Sequence, residues 1–290
     1  MPTCAFLTIS DLGDFVSDDD LAVDLLRKSG WRVDFIPWDQ PAGWSRYDLV
    51  VIRTTWDYHE RPSEFLNALD EIDQSPARLL NSLALVRWNL DKRYLLHLEQ
   101  KQVPIVPTRY GARLNDIDEL LALFTAFETH EIILKPPVNV NAFNTFRLHR
   151  TGLEAHWPRL SQLFGAAPYL AQPFMPHILN EGEFSLIYFD GRFSHAILKT
   201  PAAGDFRVQE EHGGVITAVE AGEALRHVAR RALDSLDEIP LYARLDLVRH
   251  TGDDFRIMEF ELIEPSLYLR MHPDAPRRFS EALQAALLRP

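Results

Sequence analysis

Cysteine is nearly absent. Cys4 stands alone in 290 residues, which excludes an internal disulfide and a thiolate metal cluster and fits a reducing, cytoplasmic setting. Positive charge is also in deficit. Thirty Lys and Arg face 42 Asp and Glu, a net charge of −12, and no block of five like charges occurs. Neither a nucleic-acid partner nor an anionic membrane is expected. Long apolar runs are missing too. The longest stretch without a charged residue, Leu160 to Asn180, is interrupted by Pro168, Pro173 and Pro176, so no membrane-spanning helix is expected. The N-terminus lacks the basic flank and apolar core of a secretory signal. No Gly-rich Walker loop, GxGxxG, GxSxG or HExxH motif occurs, and His59, His195 and His212 are scattered as satisfied polar residues would be. What remains, 46% apolar and 25% charged, is an ordinary globular chain with room for two modest domains or one large one.

The opening third alternates apolar runs with helical patterns. Cys4 to Ile9, Trp31 to Ile36 and Asp48 to Ile52 read as strands. Asp18, Asp19 and Asp20 precede Leu21, Leu25 and Leu26 at helical spacing, with Gly30 as the stop, and Pro62 opens a second helix with Phe65, Leu66, Leu69 and Ile72 on one face. A small parallel α/β layer follows from that order. The rest reads as an antiparallel α+β body. Helices are expected over Leu85 to Gln100, Asp116 to Phe127 and Glu220 to Leu236, and a strand over Glu131 to Lys135. Asp190-Gly191 joins Phe184–Phe189 to Phe193–Leu198 as a tight hairpin, and Thr251 to Asp254 joins Leu241–His250 to Phe255–Ile263.

The last hairpin carries the chemistry. With a period of two, Leu241, Ala243, Leu245 and Leu247 share one face of its first strand, leaving Tyr242, Arg244 and Asp246 on the other. On the second strand Met258, Phe260 and Leu262 take the apolar side, so Glu259 and Glu261 point with Asp246. Pairing His250 with Phe255 puts Asp246 opposite Glu259. Like charges across a ladder destabilise it, so a positive group is expected among them, and hard divalent cations take carboxylate oxygens. A solvated polar face is the alternative.

Two lysines stand in order before these acids. Lys135 ends the run Ile132-Ile133-Leu134 ahead of Pro136-Pro137, where a snorkelling edge lysine is the alternative, and Lys92 falls on the expected 85–100 helix, where surface charge is the default. The progression runs from Leu90-Asp91-Lys92 through Val106-Pro107-Thr108, Ile133-Leu134-Lys135-Pro136 and Ala171-Gln172-Pro173-Phe174 to Glu183, Asp246 and Met258-Glu259-Phe260-Glu261. Over most of the chain it resembles the ATP-grasp ligases, the superfamily of glutathione synthetase and D-alanine–D-alanine ligase. Tyr188-Phe189-Asp190-Gly191, Tyr242-Ala243-Arg244-Leu245-Asp246 and Glu264-Pro265-Ser266-Leu267 look like the subgroup containing D-cycloserine synthetase.

The resemblance implies an α/β N-terminal substrate domain over residues 1–84, a linker helix and central ATP-grasp subdomain over 85–168, and a C-terminal subdomain with the metal site over 169–290. It implies that Lys92 and Lys135 neutralise ATP phosphates, that the hinge at Gln172 to Phe174 reads adenine, and that Glu183 accepts the ribose hydroxyls. Asp246, Glu259 and Glu261 match the Mg²⁺ ligands. Lys199, Arg207 and Arg244 resemble basic residues near the transferred phosphate and acyl group, with surface charge the alternative for Arg207 and an ion pair with an acid the alternative for Arg244. The loop 138–145 has no glycine where relatives place it, although its asparagines tolerate left-handed backbone well enough for a phosphate lid. At the end of a front-domain strand, Arg53 is a candidate for a substrate carboxylate and Asp57 for an amine; the alternative is a structural Arg-Asp pair with Trp56 as a packing plug. The expectation is an ATP- and Mg²⁺-dependent, ADP-forming ligase acting on a small, amino-acid-like substrate, compatible with a homodimer. A nucleotide-binding protein without turnover and a small-molecule kinase are the alternatives, separated by whether ADP and free phosphate both appear.

Overall fold

The computed structural model describes residues 1–13 and 17–289. The front layer is a parallel sheet built from β1 (Thr3–Thr8), α1 (Asp19–Lys28), β2 (Arg32–Pro37), β3 (Leu49–Thr54), α2 (Pro62–Asp73) and β4 (Arg78–Leu80), with strand order β2-β1-β3-β4. The acids of the first turn of α1 and the Arg27–Lys28 pair in its last turn suit the helix dipole, and Gly30 leaves it at φ +83°. Pro62 occupies the first turn of α2, which buries Phe65, Leu69 and Ile72.

The expected helix over Leu85–Gln100 is two helices, α3 (Leu83–Asn89) and α4 (Tyr94–Gln100). Side-chain bonds made at a distance cause the break. Asn89 turns inward and donates from Nδ2 to Phe260 O at 2.7 Å, while its Oδ1 accepts from Leu262 N at 2.9 Å. The Lys92 N–H then donates to Pro137 O at 2.8 Å instead of continuing a helix. Lys92 therefore sits in a turn, not on a helix.

A second sheet follows from β5 (Arg109–Gly111), α5 (Ile117–Ala126), β6 (Glu131–Lys135), β7 (Phe146–His149), α6 (Leu153–Phe164) and β8 (Tyr169–Pro173), antiparallel in the order β5-β8-β6-β7. Because β8 pairs with β5 and β6, this layer runs a few residues past the division expected at 168. The third sheet comes after the short α7 (His177–Asn180) and holds β9 (Glu183–Phe189), β10 (Arg192–Thr200), β11 (Val215–Val219), α8 (Glu223–Leu233), β12 (Tyr242–Thr251) and β13 (Asp254–Glu261), closed by α9 (Ala275–Leu287). Its order is β11-β10-β9-β12-β13. Asp190 and Gly191 turn the β9–β10 hairpin at φ +52° and +69°, as a two-residue loop with both residues left-handed requires.

The β12–β13 register contains two shifts. Thr251 faces Asp254, but Arg249, Val248 and Leu247 face Phe255, Arg256 and Ile257; beyond a bulge Asp246 faces Glu259. The expected Asp246–Glu259 pairing holds, yet Met258 is the extra residue. The bulge reverses the facing of the strand, so that Ile257 and Phe260 both enter the core and Met258 faces the cleft instead of the apolar side.

Asn81 welds the front layer to this sheet. Its Nδ2 donates to Tyr242 O at 2.9 Å and Leu262 O at 2.8 Å, and its Oδ1 accepts from Leu241 N at 2.6 Å, all buried. Asn81→Ala orphans three backbone groups and is expected to lower unfolding free energy by about 3 kcal/mol or more, read as a lower urea midpoint at unchanged slope. A loss below about 1 kcal/mol would contradict that account.

Candidate active site

One cleft lies where the three layers meet, walled by β6, β8, β12, β13 and the loops 139–145 and 206–211. Its open space, mouth and adjoining solvent included, is about 1500 Å³.

The β12–β13 pair brings Asp246, Glu259 and Glu261 together, with one carboxylate oxygen of each within 4.8 Å of the others. Three clustered carboxylates are the oxygen donors that a hard divalent cation takes, so these residues fit one. The positive charge expected among the acids is supplied by side chains. Lys135 Nζ lies 3.1 Å and Lys92 Nζ 3.8 Å from Glu259, Arg244 Nη2 lies 2.9 Å from Asp246 and also pairs with Glu261, and Lys199 Nζ lies 3.3 Å from Asp246 while pairing with Glu183. Four acids and four cations interleave in one wall.

Their protonation follows from that geometry. Burial would raise the Asp246 carboxyl, but Arg244 and Lys199 outweigh it and hold it down to about 2. Glu259 is likewise held at about 2 by Lys92 and Lys135 against burial. Glu261 is pushed up to about 7 by burial, with Asp246 and Glu259 adding and Arg244 opposing. Arg244 touches both acids; Asp246 keeps the negative charge, and Glu261 is the acid that takes up a proton as pH falls through about 7. The folded protein thus binds a proton at Glu261 that an unfolded chain has lost. This contribution to stability is full below the ordinary glutamate value near 4.5 and vanishes as pH rises through about 7. A cation held by Glu261 would have to displace that proton. Mg²⁺ is therefore expected to bind about tenfold more tightly at pH 8 than at pH 6, releasing a proton measurable by calorimetry in two buffers of different ionisation enthalpy; pH-independent binding would show that Glu261 is not involved.

The other expected residues divide. Gln172 is buried on β8 and donates from Nε2 to Thr108 Oγ1 at 3.0 Å. The Phe174 N–H is taken by Glu131 O at 2.9 Å, and its ring lies under the Arg147 guanidinium at 3.8 Å, so this N–H is not the hinge group offered to a ligand. Glu183 stands in the cleft wall, but its carboxylate pairs with Lys199. Arg207 lines the cleft and is held 2.7 Å from Asp205. The loop 138–145 lies over the cleft with Asn141, Ala142 and Asn144 at φ of +50° to +55°, while the Asn139 carbonyl accepts from Lys92 Nζ at 2.7 Å. Asparagine thus takes two of the three left-handed positions without glycine.

Two candidates stand outside the cleft lining. Arg53 is 2% exposed and lies outside the cleft lining, its Nε bound to Asp19 at 3.0 Å and its Nη2 to Pro265 O at 3.1 Å. The structural pair foreseen for it exists, but the partner is Asp19. Asp57 instead accepts from Trp38 Nε1 at 2.6 Å and pairs with Arg61 at 3.1 Å, so it too is occupied outside the cleft. Sequence reasoning missed Met258 and the apolar group of Val106, Met175, Ile178 and Val208 beside it. No periodicity marks the Met258 bulge.

Residues 4–81 match the model of the D-cycloserine synthetase DcsG N-terminal domain. The cycloserine biosynthesis protein DcsG of Streptomyces lavendulae is 32% identical over 281 residues, covering 91% of this chain and 92% of that protein. The crystal structure of D-cycloserine synthetase DcsG superposes with a TM-score of 0.86 at 30% identity, over 98% of this chain and 99% of that one. Glutathione synthetase of Bordetella pertussis is 25% identical over 249 residues, 83% of this chain and 74% of that protein. With its cleft of interleaved lysines and carboxylates between two antiparallel layers, and a relative matched almost end to end, the chain belongs to the ATP-grasp carbon–nitrogen ligases, in the family of D-cycloserine synthetase.

Proposed function

We propose that the protein consumes ATP with Mg²⁺ to activate a carboxyl-type oxygen of a small amino-acid-like substrate as an acyl phosphate, which an amine then captures, within the same molecule as in a cycloserine synthetase. The observation that carries this reading is the wall of paired charge, in which Lys92 and Lys135 both reach Glu259 and would turn to phosphate oxygens when nucleotide enters. Asp246, Glu259 and Glu261 would hold Mg²⁺, which neutralises charge on the transferring phosphoryl group. The apolar group of Val106, Met175, Ile178 and Val208 with Met258 fits the flat face of a purine, and the loop 138–145 offers its backbone over the phosphates. Arg244 and Lys199, both buried in the cleft wall, would steady the acyl oxygen and the departing phosphate, and Arg207 lines the same cleft from the loop 206–211. Substrate oxygen attacks the γ-phosphorus and ADP leaves; the amine then attacks the acyl carbon and phosphate leaves. Positioning and charge neutralisation supply most of the rate.

The test is incubation of pure protein with ATP, Mg²⁺ and a panel of D- and L-amino acids and O-substituted serines. ADP and free phosphate released in equal amounts, only with a particular substrate, is the expected result. Phosphate retained on the product would make it a kinase. Tight nucleotide binding with no release under any condition would leave a binding protein.

A further inference from the structure

Glu264 is used by none of this chemistry. It lies just beyond β13 in the cleft wall, 8% exposed, beside Tyr58 and Ser266. The nearest cations are committed elsewhere, Lys92 to Glu259 and Asn139 O, and Arg244 to Asp246, Glu261 and Ser266 O. A carboxyl group buried to this degree without a cation is costly to the fold. Burial, with Glu261 adding, raises it to about 8 against the opposing pull of Lys92, Tyr58 and Arg244.

The backbone around Glu264 is fixed at three successive carbonyls. Glu264 O accepts from Trp56 Nε1 at 3.0 Å, Pro265 O from Arg53 Nη2 at 3.1 Å, and Ser266 O from Arg244 Nη1 at 3.2 Å. Arg53 is itself held by Asp19. Tyr58, whose hydroxyl interacts with the Glu264 carboxyl, is locked by stacking on Phe65 with ring centroids 4.8 Å apart. Such support preorganises a side chain for a ligand.

We infer that Glu264, oriented by Tyr58 on this pinned strap, is the counter-ion for a primary ammonium group of the substrate and makes the substrate end of the cleft selective for amines. The inference rests on the ligase reading above. The ammonium supplies the cation the carboxyl lacks, and a charge-assisted hydrogen bond in a buried wall is worth far more than one in water. Arg53 becomes a positioning residue.

The experiment is calorimetric titration of the full-length protein, loaded with ADP and Mg²⁺, with two pairs of probes: D-cycloserine against isoxazolidin-3-one, and D-alanine against propionate. The wild type is expected to bind the amine-bearing member of at least one pair about tenfold more tightly or better, and Glu264→Gln to bring that ratio within about twofold with ADP affinity unchanged. Glu264→Asp, which keeps the charge, should keep part of the preference and guards against a Gln variant that does not fold. No preference for the amine in the wild type, no binding by any probe, or a preference that survives in Glu264→Gln overturns the inference while leaving the ligase reading in place. Failure of ADP and Mg²⁺ to bind overturns both.

Discussion

Glu259→Gln is expected to lower ATP turnover by about 10²- to 10³-fold while leaving a folded protein. The amide has the same shape but removes the charge that faces Lys135 at 3.1 Å and Lys92 at 3.8 Å, and it takes an anionic oxygen from the triad with Asp246 and Glu261 proposed to hold Mg²⁺. Stability should change little. The Glu259 side chain is a quarter exposed, and Lys92 keeps its bond to Asn139 O. Steady-state ADP release and urea unfolding separate the two effects, and undiminished turnover in this variant would remove Glu259 from the metal site.

Lys199→Met is expected to cost about 3–5 kcal/mol of stability. The ammonium is 3% exposed between Glu183 and Asp246, which are 7% and 3% exposed. Both acids hold it protonated against the pull of burial. Without it, Asp246 still has Arg244, but Glu183 is left as a buried acid with no cation. Adding Glu183→Gln should therefore recover part of the loss, giving a coupling energy of about 1–3 kcal/mol in a double-mutant cycle by urea unfolding. Additive losses would show that the two residues act independently and that the pairing contributes nothing.

The elements legible in the sequence are those whose signals are local. The acids before α1, Pro62 at the start of α2 and Asp190-Gly191 in the hairpin each fix a boundary through the backbone they permit. The alternation of Arg244 and Asp246 against Leu245 and Leu247 placed the acid face of β12 correctly. Where a long-range bond competes, local pattern fails. Asn89 reaches β13 and breaks a run that is helical by period, and the Met258 bulge turns a methionine from the core to the cleft while leaving Asp246 opposite Glu259.

The candidate site divides in the same way. By itself the sequence determined the family resemblance, the three carboxylates and the order of the lysines, because spacing along a strand and sequence along a chain are one-dimensional facts. Only the tertiary structure decided which cation answers which acid. It took Arg53 and Asp57 out of the cleft by giving them Asp19 and Arg61, set Lys199 between Glu183 and Asp246, and left Glu264 buried beside Tyr58. The reason is physical: an ion pair depends on distance and burial in three dimensions, and residues up to about 200 positions apart in the chain, such as Arg53 and Pro265, meet with no trace in either local pattern.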